Sequence, residues 1–400
     1  MKDAAAMLVA PEPSIAHPAP RRLLAIALAT SVASTSGTSF IYPVLPVLAG
    51  DLHVDATRIG LAMAVLTMPG IVLAPLFGII ADLKGRRRLL IFGLTLFAIG
   101  GAAAAAAPTY GWFLICRTLQ GIGMSALLPL TIVLISDILS EEREIHGQGL
   151  KVVIDRIGMI GLPLLGGLLA AISWRAAFLA YVAILPVALA AFLFMPETGT
   201  RHSGGFAQYL RDTARALRER RLRVAFVTGF VRFFLDYGLY TYLPLLLSLQ
   251  YGASALTAGW TIAASAGGSI LTATAVGHLY RLFAVERLLA IAFLASAIGL
   301  AMVALALPLW AIASGAFLFG LGNGLISPLQ KSLLTRRTPS ALRGGVISCD
   351  RVIQQIAKSI APSLMGLLLI VAPLALVFWV LVGFALAGTL AVTALRTRPE

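Results

Sequence analysis

Charge is what this 400-residue chain has least of: 12% of its residues are Asp, Glu, Lys or Arg, about half the share of an ordinary soluble protein. With 59% hydrophobic residues, that scarcity excludes a soluble domain with one core and leaves a polytopic membrane protein. Acid is the scarcer sign, 17 Asp and Glu against 31 Lys and Arg, for a net charge of +14. Such an excess would suggest nucleic acid in a soluble chain. Here the basic residues cluster in alternate loops, so no nucleic-acid partner is expected. The two cysteines, Cys116 and Cys349, both lie in apolar segments and exclude a disulfide framework. No two of the five histidines have ligand spacing, so neither a metal site nor a hydrolytic triad is expected. No Gly-x-x-x-x-Gly-Lys-Ser/Thr loop is present, which removes support for ATP as a driving force.

What is present is a series of long apolar runs. About 20 apolar residues at 1.5 Å each cross a hydrocarbon core of about 30 Å. By this measure spans 1 to 12 are expected at 22–48, 57–80, 89–107, 111–136, 148–171, 175–195, 224–249, 256–277, 286–307, 309–334, 344–371 and 373–395. Alternate loops hold Lys84 and Arg86 to Arg88, Arg143, Arg281 and Arg287, and Arg336, Arg337 and Arg343; the others hold little more than Arg58 and Arg175. Lys and Arg stay cytoplasmic, so both termini are expected inside. Arginine-rich, lysine-poor usage with abundant alanine suggests a GC-rich bacterial genome, hence the bacterial cytoplasmic membrane.

The fold class expected is an all-α membrane protein of twelve helices in two pseudo-symmetric bundles. Its parts are a Pro/Ala-rich cytoplasmic tail (1–21) with no cleavable signal, a first six-helix bundle (22–196), a cytoplasmic linker (197–223) and a second bundle (224–396). Within the linker, Phe206, Tyr209, Leu210, Thr213 and Leu217 recur at helical spacing among arginines. This fits an interfacial amphipathic helix facing anionic lipid, with a solvated linker as the alternative. An internal repeat supports the two bundles. Adding 199 maps Gly60 onto Gly259, Gly78 onto Gly277, Gly121 and Gly123 onto Gly320 and Gly322, Pro129 onto Pro328, Pro163 onto Pro362 and Gly167 onto Gly366. An offset of 198 maps Tyr42, Leu45 and Pro46 onto Tyr240, Leu243 and Pro244.

Between spans 2 and 3 stands Gly78-Ile-Ile-Ala-Asp82-Leu-Lys84-Gly85-Arg86-Arg87-Arg88. This turn resembles the Gly-x-x-x-Asp-x-x-Gly-Arg-Arg signature of the major facilitator superfamily of secondary transporters, with Leu83 where the family usually has Arg or Lys. The resemblance implies a conformational clamp made by Gly78, Asp82, Gly85, Arg86 and Arg87. Asp82 would dock at the start of span 11, near Gly344 and Gly345, and Arg86 would pair with Asp137 at the end of span 4. A carboxylate is stabilised at a helix amino terminus by about 0.3–1 kcal/mol. The alternative is that Lys84 to Arg88 only fix topology.

In span 4, Arg117-Thr-Leu-Gln120-Gly121-Ile-Gly123 resembles the Arg-x-x-Gln-Gly-x-Gly motif of the drug:proton antiporter branch, which implies a link of Arg117 to proton transfer. A guanidinium snorkelling to the interface near Trp112 is the alternative. In span 5, Gly158, Gly161, Pro163, Gly166 and Gly167 are similar to the exporters' Gly-Pro-x-x-Gly-Gly motif, with Leu162 in place of the Gly before the Pro. Small residues there permit close helix approach.

Charges inside the spans are costly and mark function by default. Asp155, Asp236 and Asp350 are the candidate proton carriers together with Arg117, with Arg156 and Arg232 as charge partners. Arg232 and Asp236 are four apart on one helical face; the alternative is that they form a fixed structural pair and that Asp155 and Asp350 stand in cytoplasmic water. Arg156, Arg232, Tyr240, Asn323, Gln354, Gln355 and Lys358 are the candidate cavity residues, with Trp260 as a weaker one. Span 1 offers Ser and Thr but no acid; several drug exporters of lipophilic cations have a carboxylate there, so the resemblance implies that a strongly cationic substrate is not expected. The expected activity is proton-coupled export of a small amphiphilic or drug-like molecule by a monomer that needs lipid and protons but no cofactor. Import of a zwitterionic or anionic metabolite is the alternative, and a membrane enzyme or sensor would need a clustered catalytic set.

Overall fold

The computed structural model describes residues 20–139, 141–197, 220–305, 307–336 and 340–396; the side chains of Asp82 to Lys84, of Asp137 and of residues 335–345 lie outside that description. The tail, the linker helix expected around Phe206 to Leu217, and the docking of Asp82 and Asp137 therefore fall outside it as well.

The described residues are helical, with no strand among them. Span 1 runs as Pro20–Ser39, a 3-10 turn at Tyr42–Val44 and Leu45–Asp51. Pro43 and Pro46 lack the N–H that would continue the ladder, which accounts for the break. Span 2 is Ala56–Ile59, Leu61–Thr67 and Pro69–Lys84, interrupted at Gly60 and at Met68, just before Pro69. Span 3 is Arg86–Ala105, span 4 Tyr110–Ile138, and span 5 Glu141–Ile172. Span 6 is Trp174–Leu179, a 3-10 turn at Ala180–Ile184 and Leu185–Phe194. Spans 7 to 12 are Arg220–Tyr251, Ala255–Leu282, Val285–Ala304, Leu309–Arg336, Ser340–Leu368 and Leu374–Arg396.

Ten of these units are long and apolar enough to cross a bilayer. The other two, spans 7 and 11, hold Arg232 and Asp236, and Asp350, Arg351 and Lys358. Their polarity is one-sided, most clearly in the strongly amphipathic span 11. A spanning helix can carry such residues only where they face the bundle interior.

The repeat governs how helices pack within each half. A Cβ on Gly121 would collide with the Leu66 carbonyl of span 2, and one on Gly320 with the Ser265 carbonyl of span 8. The four residues are two pairs separated by 199 positions.

The repeat also governs how the halves meet. A Cβ on Gly60 would strike the Pro362 carbonyl of span 11, and one on Gly259 would lie 2.7 Å from the Pro163 carbonyl of span 5. Gly366 abuts the Thr57 carbonyl, and Gly167 abuts Ala255 and Leu256. Each of these glycine contacts of span 2 with span 11 thus has a mate between spans 8 and 5, as a two-fold relation requires. These contacts lie toward the end opposite the 82–88 turn. Toward the turn, Gly78 and its mate Gly277 have nothing within 4 Å of a Cβ.

Candidate functional site

The three acids expected inside the spans are each held by donors. In span 5, Asp155 accepts from Ser31 of span 1 at 2.5 Å and from Lys151, one turn earlier, at 2.6 Å. In span 7, Asp236 is 7% exposed and accepts from Asn323 of span 10; Arg232 stands 3.9 Å from its other oxygen and donates to the Asn323 carbonyl at 2.7 Å. Asn323 therefore bridges the ion pair. In span 11, Asp350 accepts from Gln330 of span 10 at 2.7 Å and from Gln354 at 2.5 Å. Gln330 also donates to the Ala225 carbonyl of span 7 at 3.2 Å. Gly229 makes this junction possible: a Cβ there would come within 2.6 Å of the Gln330 amide and 3.0 Å of Asp350. Asp350 is 5% exposed, so it does not stand in open water.

Several residues are placed otherwise than expected. Arg156 is within electrostatic reach of Asp155 but not in direct contact with it: adjacent residues on a helix point about 100° apart, and the direct i,i+4 contact is Lys151's. Arg156 instead crosses to the other half, where it donates to Ser269 of span 8 at 3.2 Å. Its mate by the repeat is Gln355, which packs on Gly70, the mate of Ser269, and donates to the Thr67 carbonyl at 3.4 Å. Gln354 is spent on Asp350. Tyr240 is packed, its hydroxyl sharing a hydrogen bond of 2.9 Å with Ser265 and its ring lying against Tyr42 and Phe319. Trp260 is 61% exposed and is not part of the buried polar network. Of the span 5 glycines, Gly166 and Gly167 meet neighbouring backbones, whereas Gly158 meets only its own helix's Leu162 and Gly161 meets nothing within 4 Å. These two do not contribute the helix packing expected of them.

Arg117 does not snorkel. It is fully buried and donates to Gln120 at 2.5 Å, to the Gly37 carbonyl of span 1 at 3.0 Å and to the Ala62 carbonyl of span 2 at 3.3 Å, with its guanidinium over the Phe178 ring. A planar fork of five donors can satisfy such scattered acceptors, which an ammonium cannot. Its contacts tie spans 1, 2 and 4 together, and no acid is among them.

At the basic turn, Gly85 has φ 93°, a conformation that favours glycine, and a Cβ there would run into Glu197 at the end of span 6. Arg87 donates to the Phe192 carbonyl and stacks on that ring, and Arg88 lies 4.0 Å from Glu197. Arg86 is buried. The anchoring of the turn on span 6 was invisible in the motif, because Phe192 and Glu197 are distant in sequence.

Twelve helical units in two halves related by a two-fold repeat, with charged groups enclosed between them, define a multi-pass membrane transporter. The chain belongs to the Major Facilitator Superfamily, whose profile matches residues 26–281 and 225–400. It is 27% identical over 241 residues to the bacillibactin exporter of Bacillus subtilis (strain 168), a match covering 57% of this chain and 60% of that protein. It is 28% identical over 142 residues to the quinolone resistance protein NorA of Staphylococcus aureus, covering 36% of this chain and 37% of that one. These matches span less than two thirds of either relative. The solved structure of the nucleoside transporter NupG superposes with a TM-score of 0.79 at 12% identity, over 95% of this chain and 99% of that one. At that identity the likeness speaks to the fold.

Proposed function

We propose that this protein exports a small amphiphilic molecule in exchange for protons by alternating access. The observation that carries the reading is the pair of two-fold-related seams, spans 2 with 11 and 5 with 8, flanking the buried acids Asp236 and Asp350 and the partly exposed Asp155. Two rigid halves joined this way can rock about the midplane and expose those acids to one side at a time. The seams close the end opposite the basic turn, and in this reading the cavity opens toward that turn. Loop charges put the turn and both termini in the cytoplasm, and the bacterial exporters among the relatives agree with residence in the cytoplasmic membrane. One proton charge falling through about 100 mV supplies about 2.3 kcal/mol, which supports roughly a fifty-fold substrate gradient at 1.36 kcal/mol per factor of ten. No further cofactor is called for, and a monomer suffices.

Asp236 is the principal proton carrier in this reading, because Asn323 can serve its charged form as donor and its protonated form as acceptor. Asp155 is the second, its charge balanced by Lys151. The test is flux into inverted vesicles under an imposed pH gradient, beside substrate counterflow, for Asp236→Asn and Asp155→Asn. Loss of gradient-driven flux with counterflow retained is expected for Asp236→Asn. Wild-type behaviour of both variants, or driven flux of the opposite sign, overturns the proposal.

A further inference from the structure

Among the described residues around Asp155, Asp236 and Asp350, the cations outnumber the acids: Lys151, Arg156, Arg232, Arg351 and Lys358 stand near them. The acids are engaged: Asp155 by Lys151 and Ser31, Asp236 by Arg232 and Asn323, Asp350 by Gln330 and Gln354. Among the described residues, Arg156, Arg351 and Lys358 have no hydrogen bond or ion pair with an acid. Arg156 donates to the Ser269 hydroxyl, and Lys358 lies over aromatic faces, Phe233 at 4.5 Å and Tyr237 at 5.8 Å; Asp155 is within electrostatic reach of Arg156, and Asp236 and Asp350 of Lys358, without direct pairing. The Phe233 ring carries two cations, since the Arg232 guanidinium also lies 4.5 Å from its centre. Arg232 is within electrostatic reach of Arg156 as well as Lys358. The three come from spans 5, 7 and 11, so both halves contribute.

Positive charge held in a membrane interior in excess of its counter-charge is costly. A site that keeps it gains when an anion arrives, and guanidinium groups recognise carboxylates and other oxyanions through paired N–H donors. We propose that the substrate is an amphiphilic organic anion whose acidic group is held between Arg156 of the first half and Arg232 and Lys358 of the second, with its apolar body against Phe233 and Tyr237. The proposal deepens the export reading and rests on it for location. An anion bridging the halves would also lower the repulsion between Arg156 and Arg232 as the cavity closes, coupling occupancy to the rocking motion.

The experiment uses three probes with one apolar body: 2-naphthoate, 2-naphthamide and 2-naphthylmethylammonium. Binding to the purified full chain in detergent is read by isothermal titration, and by the shift in unfolding temperature. The expected result is at least about tenfold tighter binding of the naphthoate than of either partner, as one charge-assisted bidentate contact allows. That preference should fall toward unity in Arg156→Gln/Lys358→Gln. A second variant, Arg156→Lys, checks folding and should keep part of the preference. Equal or tighter binding of the amide or the ammonium, no binding of any probe, or an anion preference untouched by the double substitution overturns the proposal. Gradient-driven flux of the naphthoate in proteoliposomes separates the two readings. Anion-selective binding without driven flux leaves the anion site standing and defeats export, whereas driven flux of the ammonium alone does the reverse.

Discussion

At the seam of spans 2 and 11, Gln355 donates to the Thr67 carbonyl at 3.4 Å, and the hydroxyls of Thr67 and Ser359 share a hydrogen bond of 2.9 Å. At the matching level of spans 5 and 8, the place of Gln355 is taken by Arg156, which donates to Ser269 at 3.2 Å. Glycine contacts on both seams follow one plan, Gly60 on Pro362 against Gly259 on Pro163, and Gly366 on Thr57 against Gly167 on Ala255. Steric fit has been kept in duplicate while charge has diverged. The same holds one turn away, where Lys151 and Asp155 of span 5 correspond to Asp350 and Gln354 of span 11: at this level each helix has an i,i+4 pair, with the acid at opposite ends. In the proposed cycle, shape is tied to the rocking motion, which both seams share, and charge to what is bound and carried.

The sharpest break of that comparison is steric. Gly60→Leu and Gly259→Leu should each reduce flux by about ten- to a hundredfold, since overpacking costs about 1–3 kcal/mol and 1.36 kcal/mol is a tenfold population shift. Transport by proteoliposomes at matched protein content measures it, and the two variants should agree within a few-fold. A seam that tolerates leucine while its mate does not would separate the two.

Next comes the contrast between the fixed cation of the first half and the free one of the second. Arg117→Met strips donors from two backbone carbonyls and Gln120, and hydrogen bonds of charged groups contribute about 1.5–3 kcal/mol each. Its unfolding temperature in detergent should drop clearly, and Arg117→Lys should recover only part of the loss. Lys358→Met should leave that temperature unchanged or raise it, because replacing an uncompensated charge by an apolar chain removes a burial cost. A destabilised Lys358→Met would mean that the ammonium is a structural tie.

The smallest effect is expected at the Lys151–Asp155 pair, which is partly exposed at 16% and 27% of the two side chains. Pairs of this kind contribute about 0.2–1 kcal/mol, so Lys151→Met should barely move thermal stability. Ser31 continues to hold Asp155 in that variant. A large loss of stability would show that Asp155 depends on Lys151 alone.

Much of the packing plan was legible before any coordinates. Gly121, Gly259 and Pro163 report steric needs that show in residue type, and repetition at a constant offset separates them from incidental glycines. The polar networks were legible only in part. Arg232 and Asp236 stand one turn apart and could be paired by spacing, but Asn323, which bridges them, arrives from span 10, and Gln330 reaches Asp350 from the same helix. Arg117 is stabilised by carbonyls of Gly37 and Ala62, and backbone acceptors leave no mark in a side-chain pattern. Arg156 was assigned to its sequence neighbour because proximity along the chain was weighed above helical phase. Trp260 illustrates the remaining limit, since an aromatic in a spanning helix faces lipid or cavity according to a rotation that composition does not reveal.

The measurement that bears most directly on the two-fold rocking account is paired cross-linking of the seams. In a background with Cys116 and Cys349 replaced by serine, Thr57→Cys/Gly366→Cys and Gly167→Cys/Leu256→Cys form two-fold-related pairs. Oxidation of either pair should stop transport to the same extent, and reduction should restore it. Full transport with either seam covalently closed, or inhibition by one pair and not its mate, would contradict the account.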